Sequence, residues 1–196
     1  MKLLKEFTAM LCGSFDNSVQ LERFAAQGIT GYPEARHVNT RINDHIDHLP
    51  EDFAGEFVLE ESYYTVGGRT NAMPHLFLFT EEGDCVKLTS YEMPEGYTKD
   101  TFTAAGLGRL DYRTLRPSAT FTPALYHKNV RFFDSFYLQW NFRCVGGSES
   151  MFTPVLKFSL YERFSNEVLE VSESMEKDGR RTFGYDLPLE YRRTGC

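Results

Sequence analysis

The 196-residue chain lacks the features that mark several specialised classes of protein. Its four cysteines are far apart and form no Cys-x-x-Cys pair, which argues against a structural zinc site or a dense disulfide framework. No apolar run approaches the roughly 20 residues that span a bilayer, so insertion into a membrane is not expected. The dispersed cysteines are therefore expected to be reduced thiols in a cytosol-like compartment.

Positive charge is also scarce. The formal net charge is −7, and the only adjacent Lys/Arg pairs are Arg180-Arg181 and Arg192-Arg193. Because binding to phosphates needs a clustered excess of Lys and Arg, no nucleic-acid partner is expected. The N-terminal stretch MKLLKEF carries Glu6 where a signal peptide would need an apolar segment, so a cytoplasmic location is expected.

Aromatic residues, in contrast, are abundant: the chain contains 17 Phe and 11 Tyr, a composition that favours β-structure. Helical spacing of apolar residues occurs only near the start. It predicts one helix over residues 2–12, ended by Gly13, and a second over 18–27. Asn17 is expected to cap the second helix, with Gln20 completing a capping box.

After Pro33 the apolar period changes from helical to two, which is the spacing of β-strands. The loose stretch 94–118 is predicted to be a long connection. No alternation of strands and helices is visible, so the sequence predicts a single domain over residues 1–196. It is all-β with two N-terminal helices, and its antiparallel strands close into a barrel. The predicted strands cover 36–43, 56–65, 75–80, 85–93, 132–142, 152–164, 167–174 and 183–193.

Three local patterns resemble parts of functional sites but are better explained as turns or loops. The glycines at 106–108 and the GGSES stretch at 146–150 lack the context of a dinucleotide loop or a nucleophile elbow, and both are typical of turns. His37, His45 and His48 match no standard zinc spacing. A solvated, charged loop is the preferred interpretation, and no metal is expected.

Glu61 interrupts a face that it shares with Phe57, Leu59 and Tyr63. A carboxylate buried there needs a hydrogen bond, an arginine or a ligand, because burial penalises its charge. We therefore expect Glu61 and Tyr63 to face the barrel interior, where Glu61 could donate or accept a proton. An outward-facing strand end is the alternative.

The 132–142 strand carries a polar ladder that includes Tyr137 and Gln139, with Trp140 on the opposite face. In a barrel, a lining of aromatic and amide groups suits a conjugated ligand with polar edges. A wet outer face is the alternative.

The spacing Gly13-x-Phe15-x-Asn17-x-x-Gln20 resembles the N-terminal motif of the CpcT/CpeT family, the T-type phycobiliprotein chromophore lyases. The likeness continues in order through Glu60-Glu61-Ser62-Tyr63, which is similar to the family's Glu-Gln-Ala-Tyr. Near the end it includes Asp178-Gly179, Gly184 and Tyr191-x-Arg193. Together these motifs span most of the chain.

This resemblance implies a ten-stranded barrel of the calycin or lipocalin type with flanking helices. It also implies that the barrel binds an open-chain tetrapyrrole, a phycobilin, as a substrate and not as a cofactor. The lyase would transfer the bilin to a cysteine of a phycobiliprotein subunit, forming a thioether without a metal. In an alga with phycobilins the location would be the plastid stroma.

The same resemblance suggests roles for individual residues. Glu61 would interact with the pyrrole nitrogens, Tyr63 would wall the pocket and His75 would lie at its rim. Arg41 remains one of the arginines that could bind the bilin carboxylates, since Leu76 and Leu78 stand where the family usually has arginines. A non-catalytic barrel for another small hydrophobic ligand is the alternative function. A barrel filled by its own aromatic side chains is a third, and a homodimer is left open.

Overall fold

The computed structural model describes residues 2–128, 142–144 and 147–195. The chain begins with α1 (Lys2–Leu11), β1 (Gly13–Asp16) and α2 (Ser18–Ala26). Within the described ranges, neither helix has the length and apolar character that a membrane crossing requires. The remaining strands are β2 (Glu34–Arg41), β3 (Ile46–Asp47), β4 (Glu56–Val66), β5 (Arg69–Glu82), β6 (Cys85–Tyr91), β7 (Leu110–Asp111), β8 (Ala124–Lys128), β9 (Phe142–Cys144), β10 (Ser148–Thr153), β11 (Leu156–Phe164), β12 (Val168–Lys177), β13 (Arg180–Gly184) and β14 (Leu189–Thr194).

Ten of these strands close into an antiparallel barrel in the order β11-β9-β8-β6-β5-β4-β2-β1-β14-β12, and β12 pairs with β11 to complete the ring. Closure leaves no unpaired strand edge in the ring. Strands β10 and β13 extend the sheet on β11 and β12, whereas β3 and β7 form a separate parallel pair. The predicted all-β, calycin-like closed barrel with two N-terminal helices is therefore confirmed. Most of the predicted strand at 132–142 lies outside the described residues.

Helix α1 closes one end of the barrel, which we call the closed end. The ring of Phe7 is fully buried there, 4.9–5.2 Å from four other aromatic rings. These rings come from β5, β8, β9 and β11, so α1 inserts its apolar stripe into the barrel. The flanking position that the resemblance implies for the helices is therefore wrong for α1 and correct for α2, which packs against β14 and β2. The four partner rings are Phe79, Tyr126, Phe142 and Phe164.

The long connection between β6 and β8 covers the outer face of β4 and β5. Phe57 and Leu59 of β4 are fully buried against Phe102 and Leu107 of the connection. Successive side chains of a strand point to opposite faces, so the neighbours Val58 and Glu60 face the interior. Both faces of β4 are therefore covered, one by the interior and one by this outer layer.

The two ends of the chain meet where β1 pairs with β14. Gly13 has a φ of +136°, and a Cβ at this position would lie 2.1 Å from the guanidinium of Arg193. That guanidinium stacks over the ring of Phe15 at 4.4 Å and donates a hydrogen bond of 2.8 Å to the carbonyl of Cys12. Glycine is favoured here because side chains rarely adopt this backbone conformation, and a Cβ would also displace the guanidinium of Arg193.

Asn17 and Gln20 have a structural role that differs from the predicted capping box. The Asn17 amide donates to the Pro33 carbonyl at 2.9 Å and accepts from the Ala35 N–H at 2.8 Å. Gln20 donates to the Pro188 carbonyl at 2.7 Å and accepts from a backbone N–H of β14 at 3.0 Å. Neither side chain caps α2, so the capping prediction is wrong. Each amide instead joins α2 to a neighbouring strand.

Candidate ligand-binding site

A cavity occupies the half of the barrel away from α1, which we call the open end. Its interior volume is about 50 Å³, and the empty space reaches about 590 Å³ only when the open solvent at the mouth is included. Strands β2, β4, β5, β11 and β12 each contribute an ionisable side chain to its wall. These side chains are His37, Glu60, His75, Glu162 and Glu173.

His37 and Glu60 form a buried ion pair at the centre of this wall. The Nδ1 atom of His37 lies 3.5 Å from Oε2 of Glu60, and 2% and 13% of their side chains are exposed. Ser62 donates to the other Glu60 oxygen at 3.0 Å. Burial by itself would lower the pKa of His37 and raise that of Glu60. The attraction between the two groups outweighs burial, so the pKa of His37 is raised and that of Glu60 is lowered.

Glu162 and Glu173 face the same cavity, and none of the described residues that line it is a Lys or Arg that could pair with them. Burial and then the negative charge of Glu60 raise the pKa of Glu162 to about 7. The same two causes raise the pKa of Glu173. The Tyr126 hydroxyl donates a hydrogen bond to Glu162, and the Tyr64 hydroxyl donates one of 3.4 Å to Glu173. The Glu162 carboxyl group therefore changes charge near neutral pH, and the pKa of Glu173 is displaced in the same direction.

The mouth of the cavity carries aromatic rings. Phe121 lies 6.3 Å from His75, 5.1 Å from Phe152 and 5.8 Å from Phe158, in each case edge to face. The His75 ring is parallel to that of Phe77 at 5.5 Å. The cavity thus combines ionisable side chains in its wall with aromatic rings at its mouth. Because an interior space remains, the described part of the barrel is not completely filled by its own aromatic side chains.

Glu61 and Tyr63 lie on the outer face of β4 and not in the cavity. Glu61 is 8% exposed and accepts hydrogen bonds from the Tyr63 hydroxyl at 2.6 Å and from the Ala104 N–H at 3.0 Å. Tyr63 packs beneath the guanidinium of Arg36 at 4.5 Å. The predicted inward orientation of both residues is wrong, because the pleat of β4 directs Glu60 inward instead.

The other predicted site residues are distributed as follows. His75 lies on the cavity wall, close to the predicted rim position, whereas Arg41 is exposed at the end of β2 and does not line the cavity. Leu76 and Leu78, which stand where the CpcT/CpeT family usually has arginines, pack in the outer layer. The predicted ligand-binding residues Tyr137, Gln139 and Trp140 lie outside the described residues.

Sequence reasoning missed Glu60, Glu162 and Glu173 as a group. A signal was present in the β11 stretch KFSLYERF, where Glu162 alternates with Leu160 and Phe164 on one face. A single acidic residue within an otherwise apolar strand face indicates a buried carboxylate. The convergence of three such residues from β4, β11 and β12 is visible only in the closed barrel.

The described residues contain no group of three His, Cys, Asp or Glu side chains placed to hold a metal ion. No family model, curated protein or solved structure matches the chain. Fold and cavity together define the class of protein: a closed ten-stranded antiparallel barrel with an internal cavity that a ligand could occupy.

Proposed function

We propose that the barrel binds a conjugated, nitrogen-containing ligand in its cavity, with a linear tetrapyrrole as the first candidate. The observation that carries this proposal is the set of three carboxyl groups beneath an aromatic mouth. Pyrrole N–H groups are hydrogen-bond donors, and carboxylates are strong acceptors for them. The flat conjugated system would pack against the rings of Phe121 and Phe158, which favour stacked or edge-to-face contacts.

The cavity also indicates how a bilin would be oriented. None of the described residues that line it is Lys or Arg, and His37 already pairs with Glu60, so these residues offer no free Lys or Arg cation to the two propionates of a bilin. The propionates would therefore extend through the mouth into solvent, while the pyrrole nitrogens approach Glu60. A ligand of this size would occupy the mouth as well as the interior.

In the same proposal the protein transfers the bilin to a cysteine of a phycobiliprotein subunit. The acceptor thiol would add across a carbon–carbon double bond of the bilin, so that sulfur bonds to carbon and the thiol proton passes to the chromophore. The chain's own buried thiols suit this role poorly, because burial raises the pKa of Cys12 and of Cys144 to about 11. The barrel would hold the chromophore and shield it from side reactions.

A non-catalytic barrel for another small hydrophobic ligand is the second candidate. The absence of Lys and Arg from the described cavity wall favours it, because that wall suits a ligand without carboxylates. Such a protein would bind its ligand reversibly and would need no thiol acceptor.

Visible spectroscopy of the pure protein mixed with phycocyanobilin tests the leading proposal. We expect binding to shift the absorption maximum, and Glu60→Gln to reduce or displace that shift. Glu61→Gln is the matched control, since this neighbouring residue lies on the outer face and should leave the spectrum unchanged. A wild-type spectrum equal to that of the free bilin would contradict bilin binding. Bound bilin that never reaches an added apo-phycobiliprotein subunit would favour the non-catalytic candidate.

A further inference from the structure

The ionisable groups of the cavity are unequal in sign. Three carboxyl groups face it, and the only basic groups among its described lining residues are two imidazoles. Of these, His37 already pairs with Glu60. The ionisable groups that surround Glu162 come from β2, β4, β8, β9 and β12. They are His37, Glu60, Tyr126, Cys144 and Glu173.

We infer that the cavity selects ligands that carry a positive charge on nitrogen, and that binding such a ligand releases a proton from the cavity. This inference rests on the proposed function only in that the barrel binds a ligand. A neutral ligand would displace water from the carboxylates, and even where its own N–H or O–H groups replace those hydrogen bonds it brings no positive charge to balance them, which is costly. An anion would be repelled, whereas a cation supplies the partner that Glu162 and Glu173 lack in the wall.

The aromatic mouth supports the same class of ligand. Phe121, Phe152 and Phe158 contact one another, and Phe121 and Phe158 line the cavity. The faces of aromatic rings attract organic cations, and this attraction grows where water is displaced. A ligand that carries an ammonium group or a protonated ring nitrogen on an aromatic system therefore suits both the rings at the mouth and the carboxyl groups in the wall of the cavity.

Proton release follows from the state of Glu162 in the free protein. With burial and Glu60 raising its pKa to about 7, about half of the Glu162 carboxyl groups are protonated near that pH. A cation beside Glu162 stabilises the carboxylate, so the proton leaves when the ligand binds. Affinity for a cation should consequently increase as the pH rises through neutrality, and then stay constant for as long as the ligand itself remains protonated.

Three probes of one shape test this inference: 1-naphthylmethylamine, 1-naphthylmethanol and 1-naphthoate. Calorimetric titration in two buffers with different ionisation enthalpies gives both the affinity and the number of protons exchanged. We expect the amine to bind at least about tenfold more tightly than the alcohol, and the carboxylate not to bind. Proton release should be measurable near pH 7 and nearly absent at about pH 8, where Glu162 is already ionised and the amine still carries its proton. Equal binding of amine and alcohol, failure of the amine to bind, or proton uptake near pH 7 would overturn the inference.

Two variants assign the effect to the cavity. Glu162→Gln should abolish most of the proton release and reduce the preference for the amine, while the affinity for the alcohol stays nearly constant. Glu173→Gln should reduce the preference in the same direction and replaces the first variant if that one folds poorly. Glu61→Gln, on the outer face, should change neither quantity. Proton release that persists unchanged in both cavity variants would contradict the assignment.

The outcome also separates this inference from the proposed function. If the amine binds and the absorption maximum of phycocyanobilin does not shift, the bilin proposal fails and the inference of cation selectivity stands. If phycocyanobilin binds and the three naphthalene probes have equal affinities, the bilin proposal stands and the inference of cation selectivity fails.

Discussion

The two halves of the barrel interior are built from strands of the same alternating pattern, yet they differ in what fills them. At the closed end Phe7 of α1 packs among four aromatic rings and is fully buried. At the open end the same strands surround a cavity with His37, Glu60 and Glu162 in its wall. Close packing stabilises the first half, whereas buried charge costs stability in the second. A region that forgoes stability in this way is where a ligand site is expected.

Truncation of Phe7 at the closed end should cause the largest loss of stability. Phe7→Ala leaves a void among four rings, and we expect a loss of about 3–5 kcal/mol in the free energy of unfolding. Urea titration followed by circular dichroism measures it. Val19→Ala is the control, since Val19 is 46% exposed on α2 and should change stability by less than about 0.5 kcal/mol. A small loss for Phe7→Ala would show that the closed end is not the more tightly packed half.

Asn17 tests whether hydrogen bonds hold α2 beside the open end. Serine is a good helix cap but is too short to bond both Pro33 and Ala35 as Asn17 does. Asn17→Ser should therefore lower the free energy of unfolding by about 1–3 kcal/mol, because it leaves buried backbone groups without partners. Thermal unfolding of Asn17→Ser and Asn17→Ala measures the effect. Stability kept by serine and lost with alanine would restore the capping role.

The stability cost of the buried Glu162 carboxylate at the open end should depend on pH. Its folded-state pKa of about 7 lies above the ordinary value of 4.5. The cost of the buried charge is therefore absent below that ordinary value, grows as the pH rises towards 7, and is constant above it. Glu162→Gln removes the charge, so the variant should be more stable than the wild type at pH 8, by about 1–3 kcal/mol. Near pH 4 the gain should disappear, and a gain independent of pH would contradict the assignment of the cost to this carboxylate.

Elements with a long, uniform period were predictable from the sequence. The 56–65 stretch corresponds closely to β4 (Glu56–Val66), because its alternation is continuous. Strand β1, with four residues between two helices, was missed because it is too short to show a period. The predicted strand at 183–193 is divided between β13 and β14, which pair with different parts of β12. Such a division depends on the partner strand and not on the local pattern.

The candidate site was less predictable than the fold. Alternation placed Glu60 and Glu61 on opposite faces of one strand, and this was correct. Both faces contain apolar residues, however, so the pattern could not show which of them points inward. The apolar face that Glu61 shares with Phe57 and Leu59 predicted an inward orientation, but in the structure that face is covered by the long connection.

Local periodicity was enough to predict two helices followed by alternating strands, and with them a barrel whose closure pairs every edge in the ring. Which side of each strand faces the interior depends instead on contacts between segments that are far apart in the chain. Helix α1 defines one end by inserting Phe7, and the Ala104 N–H, 43 residues further along the chain, holds Glu61 outside. Contacts between residues so distant in the chain leave no local period in the sequence, because each depends on ring closure bringing separate segments together.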